Sequence, residues 1–146
     1  MKIALACDHG GLDLKHAIIN YLKENGYEYE DFGTYSHESC DYPDYAKLAA
    51  RAVVNRECDL GILVCGTGIG IGIAANKIKG VRCALCNDVF SAKATRAHND
   101  ANMMSIGQRV IGEGHALEIV AAFLNGKFEG DRHIQRIEKM MALEEE

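Results

Sequence analysis

A chain of 146 residues with 48% hydrophobic content is long enough to bury one continuous core, so a single domain over 1–146 is expected. Its net charge is −5, and no run of like charge exceeds the three glutamates at the C-terminus, which argues against capture of nucleic acid or of an anionic membrane. The opening Met-Lys-Ile-Ala-Leu-Ala reaches Asp8 too soon for an export signal, no later stretch approaches membrane-spanning length, and six cysteines then read as reduced thiols of a cytoplasmic protein.

Short apolar runs bounded by Gly, Asp or Asn alternate with amphipathic segments, the pattern of parallel strands joined by helices. Strands are expected at Lys2–Ala6, Tyr27–Phe32, Leu60–Val64, Arg82–Leu85 and Asn102–Ile106. Leu14, Ala17, Ile18, Tyr21 and Leu22 mark a first helix ending near Gly26; Leu48, Ala49, Ala52 and Val53 mark a second that starts at Pro43-Asp44. Further helices are expected after Gly68, Asp88 and Glu113. A terminal helix from about Asp131 carries a stripe of Ile134, Ile137 and Met141 that must bury against something. The fold class is α/β: a three-layer α/β/α domain on a five-stranded parallel Rossmann-like sheet, with strand order left open.

In such sheets ligands bind outside the carboxyl ends of the strands. After the first strand, Asp8-His9-Gly10-Gly11 puts a carboxylate and an imidazole at a glycine-permitted turn, where Asp8 could equally be a helix cap. After the third, Cys65-Gly66-Thr67-Gly68-Ile69-Gly70 leads into a helix. It lacks the spacing of a dinucleotide fingerprint and the Lys of a P-loop. It does place a thiol beside N–H groups that can converge on an anion; a helix N-terminus favours the thiolate, and the donors would stabilise an enediolate formed beside a carbonyl. A buried strand-end cysteine is the plain alternative.

A third place holds His98-Asn99 and, after the last strand, Gly107-Gln108-Arg109. Arg132 and Arg136, four apart on the terminal helix, could grip one phosphate or simply form a solvated basic face. Cys83 and Cys86 form a C-x-x-C whose odd spacing in a strand sends the side chains to opposite faces, and no Cys or His pair elsewhere has structural-zinc spacing, so neither redox chemistry nor a metal is expected.

Taken together and in order, Asp8-His9-Gly10-Gly11, the Cys65–Gly70 loop, His98-Asn99, Arg109 and the Arg132/Arg136 pair resemble the ribose-5-phosphate isomerase B family over almost the whole chain. The resemblance implies an aldose–ketose isomerase that needs no cofactor. It implies a homodimer, sometimes paired into a tetramer, with active sites lined by both subunits. Cys65 would shuttle the proton between C1 and C2, and Gly66, Thr67, Gly68, Ile69 and Gly70 would steady the enediolate. His98 would open the furanose ring, Asp8 and Asn99 would hold sugar oxygens, and His9, Arg109, Arg132 and Arg136 would face the phosphate. One branch of that family uses a glutamate where this chain has Ile69, so Cys65 places the sequence in the cysteine branch. Alternatives are a hexose 6-phosphate isomerase, acting on allose or galactose 6-phosphate, and a noncatalytic sugar-phosphate sensor.

Overall fold

The computed structural model describes all residues, 1–146. Strands β1 (Lys2–Cys7), β2 (Glu28–Asp31), β3 (Leu60–Cys65), β4 (Cys83–Leu85) and β5 (Met103–Gly107) form one sheet in the order β2-β1-β3-β5-β4. Every neighbouring pair is parallel. Each expected strand is present to within one residue at either end. Six helices connect and close the sheet: α1 (Leu12–Glu24), α2 (Tyr42–Val54), α3 (Ile69–Ala75), α4 (Val89–Asn99), α5 (Glu113–Asn125) and α6 (Arg132–Ala142).

Side chains alternate across a strand, so each central strand feeds two cores. Ile3 and Leu5 of β1 and Ile62 and Val64 of β3 pack under α1 and α5 with Leu14, Ile18, Leu22, Ile119 and Phe123. On the opposite face Ala4, Ala6 and Leu63 meet Ala46, Ala49, Ala50 and Val53 of α2 and Ile71 of α3. Alanine against alanine lets α2 lie close to the sheet, and this is why its apolar stripe contains so few large residues.

Local signals end the helices where the sequence indicates. Gly26 takes φ 73° just beyond α1, where a left-handed residue stops a helix without steric cost. Pro43 occupies the first turn of α2, and the Asp88 carboxylate accepts the Ser91 N–H at 2.7 Å to cap α4.

The terminal helix departs from expectation. Ile134 is 48% exposed rather than part of a buried stripe, and the residue that α6 buries is His133. The helix is rotated so that His133 stacks on His98, while Met141 Sδ receives an Arg82 N–H at 3.6 Å. An imidazole facing another imidazole carries no hydrophobic signature, so apolar spacing alone points α6 the wrong way.

From β1 the chain moves outward to β2 and then returns past β1 to β3. Connections therefore diverge between β1 and β3, and their carboxyl ends border the crevice where parallel sheets of this kind hold ligands.

Candidate active site

Asp8 and Cys65 stand at the two lips of that crevice, 8% and 5% exposed. Asp8 extends the β1 ladder, its N–H donating to the Val64 carbonyl at 3.2 Å, and its Oδ1 accepts the Gly10 N–H at 2.8 Å. One carboxylate oxygen thus holds the turn, so the capping and ligand-facing readings are compatible. His9 Nδ1 accepts the Cys40 N–H at 3.2 Å, which leaves the ring proton on Nε2 as a donor.

The loop after β3 is wedged between the ends of its neighbours. A Cβ on Gly11 would lie 2.6 Å from the Val64 carbonyl carbon, and one on Gly107 would lie 2.5 Å from that of Thr67. Gly68 takes φ 79° and sits against the Ile106 backbone. The glycines are therefore set by close approach as much as by flexibility.

This packing aims the loop's N–H groups unequally. That of Gly68 points at Cys65 Sγ at 3.0 Å, a contact stronger with a thiolate than with a thiol. That of Ile69 is taken by Thr67 Oγ1 at 3.2 Å, so the Thr67 hydroxyl proton is free to be donated elsewhere. The N–H groups of Gly66, Thr67 and Gly70 have no partner within the chain. Of the donors expected to meet an oxyanion, Gly68 instead serves the sulfur and Ile69 the threonine.

Arg109 closes the same crevice. Its N–H donates to the Gly66 carbonyl at 3.0 Å, and its guanidinium lies across Gly66, about where a Cβ would meet Nη1 at 3.4 Å. Gln108, without an assigned role in the sequence reading, anchors this turn: its Oε1 accepts the Leu14 N–H at 2.9 Å in the first turn of α1. Tyr42 is a second neighbour that spacing did not reveal, its ring packed against Gly70.

His98, Asn99, Arg132 and Arg136 do not join this group. β5 rises from Met103, which pairs with Gly61, to Gly107, which pairs with Cys65. Four steps of about 3.3 Å span roughly 13 Å. His98 and Asn99 end α4 just before β5 begins, so they lie at the amino end of the sheet, opposite Cys65. There His98 stacks on His133 with ring centroids 4.6 Å apart and 14° between planes, and Arg136 borders the same cleft. Arg132 precedes His133 in a neighbouring depression shared with Glu129. Burial, His98 and the two arginines hold the His133 imidazole below its usual range. The residues that carry the resemblance thus fall into two groups, one at each end of the sheet.

The remaining thiols differ in character from Cys65. Cys86 belongs to the α1/α5 core while Cys83 packs toward the α2/α3 core, on opposite faces as the spacing requires. Burial pushes the Cys7, Cys83 and Cys86 thiols up to about 12, which keeps them protonated and unreactive. No helix is long and apolar enough to cross a membrane.

This parallel α/β sheet, with a cysteine and a glycine-walled donor loop at its divergence point, is shared at 49% identity with a solved isomerase, and the chain is an isomerase of that class. The chain belongs to the Ribose/Galactose Isomerase family, whose model matches residues 3–140. It is 50% identical to ribose-5-phosphate isomerase B of Escherichia coli (strain K12) over 144 residues, covering 99% of this chain and 97% of the relative. Among solved structures, ribose-5-phosphate isomerase B of Clostridium thermocellum superposes with a TM-score of 0.98 at 49% identity, covering 99% of this chain and 98% of the other. The Mycoplasma genitalium ribose-5-phosphate isomerase B, with bound ribulose-5-phosphate, gives 0.94 at 42% identity over 99% and 97% of the two chains.

Proposed function

We propose that the protein interconverts D-ribose 5-phosphate and D-ribulose 5-phosphate in the cytoplasm, with Cys65 as the base. The observation that carries this reading is the Gly68 N–H directed at Cys65 Sγ beside unpartnered N–H groups of Gly66, Thr67 and Gly70. Once the furanose opens to the aldehyde, the C2 proton becomes acidic because the electrons it leaves behind delocalise onto O1. The Cys65 thiolate takes that proton, and the free N–H donors stabilise the enediolate oxygen as its charge develops. The Thr67 hydroxyl donates to an enediolate oxygen. Transfer of the O2 hydroxyl proton to O1 and return of the same carbon-bound proton from Sγ to C1 give the ketose and regenerate the thiolate, with no cofactor in the cycle. Asp8 orients a sugar hydroxyl, and Arg109 and His9 face the phosphate end.

Ring opening needs a second base, and His98 is assigned that role with Asn99 at the ring oxygen. Because His98, Asn99, Arg132 and Arg136 lie at the other end of the sheet, a second copy of the chain must bring them to Cys65. Exposed Ile69 and Leu85 and half-exposed Tyr42 beside the loop supply apolar surface for such a contact. The assembly is a homodimer with composite sites, which can pair further into a tetramer, and the whole chain is one domain around one sheet.

The test follows conversion of ribose 5-phosphate and allose 6-phosphate in chelator by wild type and by Cys65→Ala. Faster turnover of the pentose, abolished in a variant that still binds it, is expected. Faster turnover of the hexose would move the assignment to a hexose phosphate isomerase, whereas binding without turnover in both proteins would leave a sensor.

A further inference from the structure

Arg82 immediately precedes β4, and its side chain is 19% exposed. Its backbone is pinned to the start of β5: the Arg82 N–H donates to Asn102 Oδ1 at 2.8 Å, and the Met103 N–H donates to the Arg82 carbonyl at 3.2 Å. From this fixed root the guanidinium reaches the end of α4. Its Nε donates to the Asn99 carbonyl at 3.2 Å and to the Asp100 carbonyl at 3.0 Å. Its Nη2 donates to the Asp100 carbonyl at 2.7 Å and to Asp100 Oδ2 at 3.2 Å, while Nη1 meets Met141 Sδ of α6 at 3.6 Å.

The last carbonyls of a helix have no partner within it, and a cation placed there also meets the negative end of the helix dipole. In α4 the need is sharpened by Asp100, a non-glycine residue that ends the helix at φ 45°, a left-handed backbone that side chains rarely adopt. Arg96 gives this turn a second grip, its Nη1 donating to the Ala101 carbonyl at 2.6 Å and lying 3.4 Å from Asp100 Oδ1. Because Arg96 belongs to α4 itself, it shapes the turn without fixing the helix to the sheet. Arg82 ties the turn to the sheet and to α6 at once. Its planar fork of donors suits several acceptors in different directions, which a lysine ammonium on a flexible stem does not match.

The last two residues of α4 are His98 and Asn99, the pair assigned to ring opening. We propose that Arg82 is a positioning residue for that step: by holding the Asn99 and Asp100 carbonyls it sets the direction in which the His98 and Asn99 side chains leave the helix. The inference rests on the assignment of His98 made above. In the step itself His98 takes the O1 hydroxyl proton as the C1–O1 double bond forms and the C1–O4 bond breaks, and a proton passes from His98 to O4. The base must meet that hydroxyl at hydrogen-bond distance, and a displacement of about 1 Å costs on the order of 100-fold in rate. Loss of Arg82 therefore slows ring opening and leaves the proton transfer at Cys65 intact.

The experiment compares ribose 5-phosphate carrying hydrogen or deuterium at C2, with wild type, Arg82→Lys, Arg82→Ala and His98→Ala, each checked for folding by circular dichroism. Arg82→Lys keeps the charge and much of the reach, so it carries the test even where Arg82→Ala does not fold. The expected kcat is at least tenfold lower in Arg82→Ala and less reduced in Arg82→Lys. In both, the deuterium effect should fall to about one, because a step before C–H cleavage has become the slowest. A merely structural loss lowers the amount of active enzyme and leaves the isotope effect at its wild-type value. Folded Arg82 variants that turn over like wild type, or slow ones in which deuterium still retards turnover, overturn the proposal. His98→Ala separates it from the reading beneath. If that variant loses turnover while the Arg82 variants match wild type, the role of Arg82 falls alone; if His98→Ala itself turns over at the wild-type rate, the ring-opening assignment falls and takes the proposal with it.

Discussion

Among the six cysteines, Cys65 is distinguished by its surroundings. Cys7, Cys83 and Cys86 are buried thiols held at high pKa, whereas Cys65 meets a backbone donor at 3.0 Å at the mouth of a crevice. That distinction was legible in the sequence because alternate glycines followed only this cysteine. The division of labour among the N–H groups was not, since it depends on how neighbouring strand ends press on the loop. Gly107 makes the dependence testable. A methyl group there would lie 2.5 Å from the Thr67 carbonyl carbon, within backbone that has no room to yield. Gly107→Ala should therefore cost about 1–3 kcal/mol of stability by overpacking and reduce kcat at least tenfold by moving the donors. Gly114→Ala, with nothing within 4 Å in the first turn of α5, is the control and should be neutral or slightly stabilising. Equal kcat in the two variants would show that the loop tolerates displacement.

At the scale of elements, hydrophobic periodicity located α1 through Leu14, Ile18 and Leu22 but gave no sign that Lys15 between them is fully buried. Its ammonium donates to Asp31 Oδ1 and to the Thr34 carbonyl, both at 2.6 Å, and lies 5.0 Å from the Tyr35 ring centroid. The acceptors are the last residue of β2 and Thr34 just beyond it, where the chain runs alongside Cys7 at the end of β1, the Thr34 N–H donating to the Cys7 carbonyl at 2.7 Å. Lys15 thus clamps α1 to the strand end that presents Asp8. A charged residue on an apolar helix face reads as a solvent position until its partner is known, and Asp31 is sixteen residues away. Replacing Lys15 with Met keeps the volume but strands a carboxylate that is 20% exposed and a buried carbonyl. Loss of one partner from a buried ion pair typically costs 3–5 kcal/mol, and the residual exposure of Asp31 places the expectation near the low end, at about 3 kcal/mol. Urea unfolding of Lys15→Met and of the double variant Lys15→Met/Asp31→Leu checks this. The double variant should recover much of the loss, because it removes the stranded charge; no recovery would mean that packing of the lysine stem dominates.

For the molecule as a whole, local patterns supplied five strands and their helices but no order, because order is decided by which faces can be covered together. The observed order sets β1 beside β3 and so makes one crevice from the Asp8 turn and the Cys65 loop. The same topology sends His98 to the far end of the sheet. The residues of the resemblance are all present but lie at two ends of one chain, and the proposed composite sites of a two-fold dimer unite them. On the proposed mechanism, Cys65→Ala loses the base while keeping His98; His98→Ala does the reverse. In a dimer that mixes the two, one site receives both wild-type halves and the other receives neither. Random re-pairing of equal amounts makes half the dimers mixed, each with one working site of two, so activity should return to about a quarter of wild type. Each variant alone should remain inactive, and unfolding and refolding the two together should generate the activity. If the mixture stays as inactive as its parents while dimers exchange, His98 and Cys65 do not meet across an interface and the composite site falls.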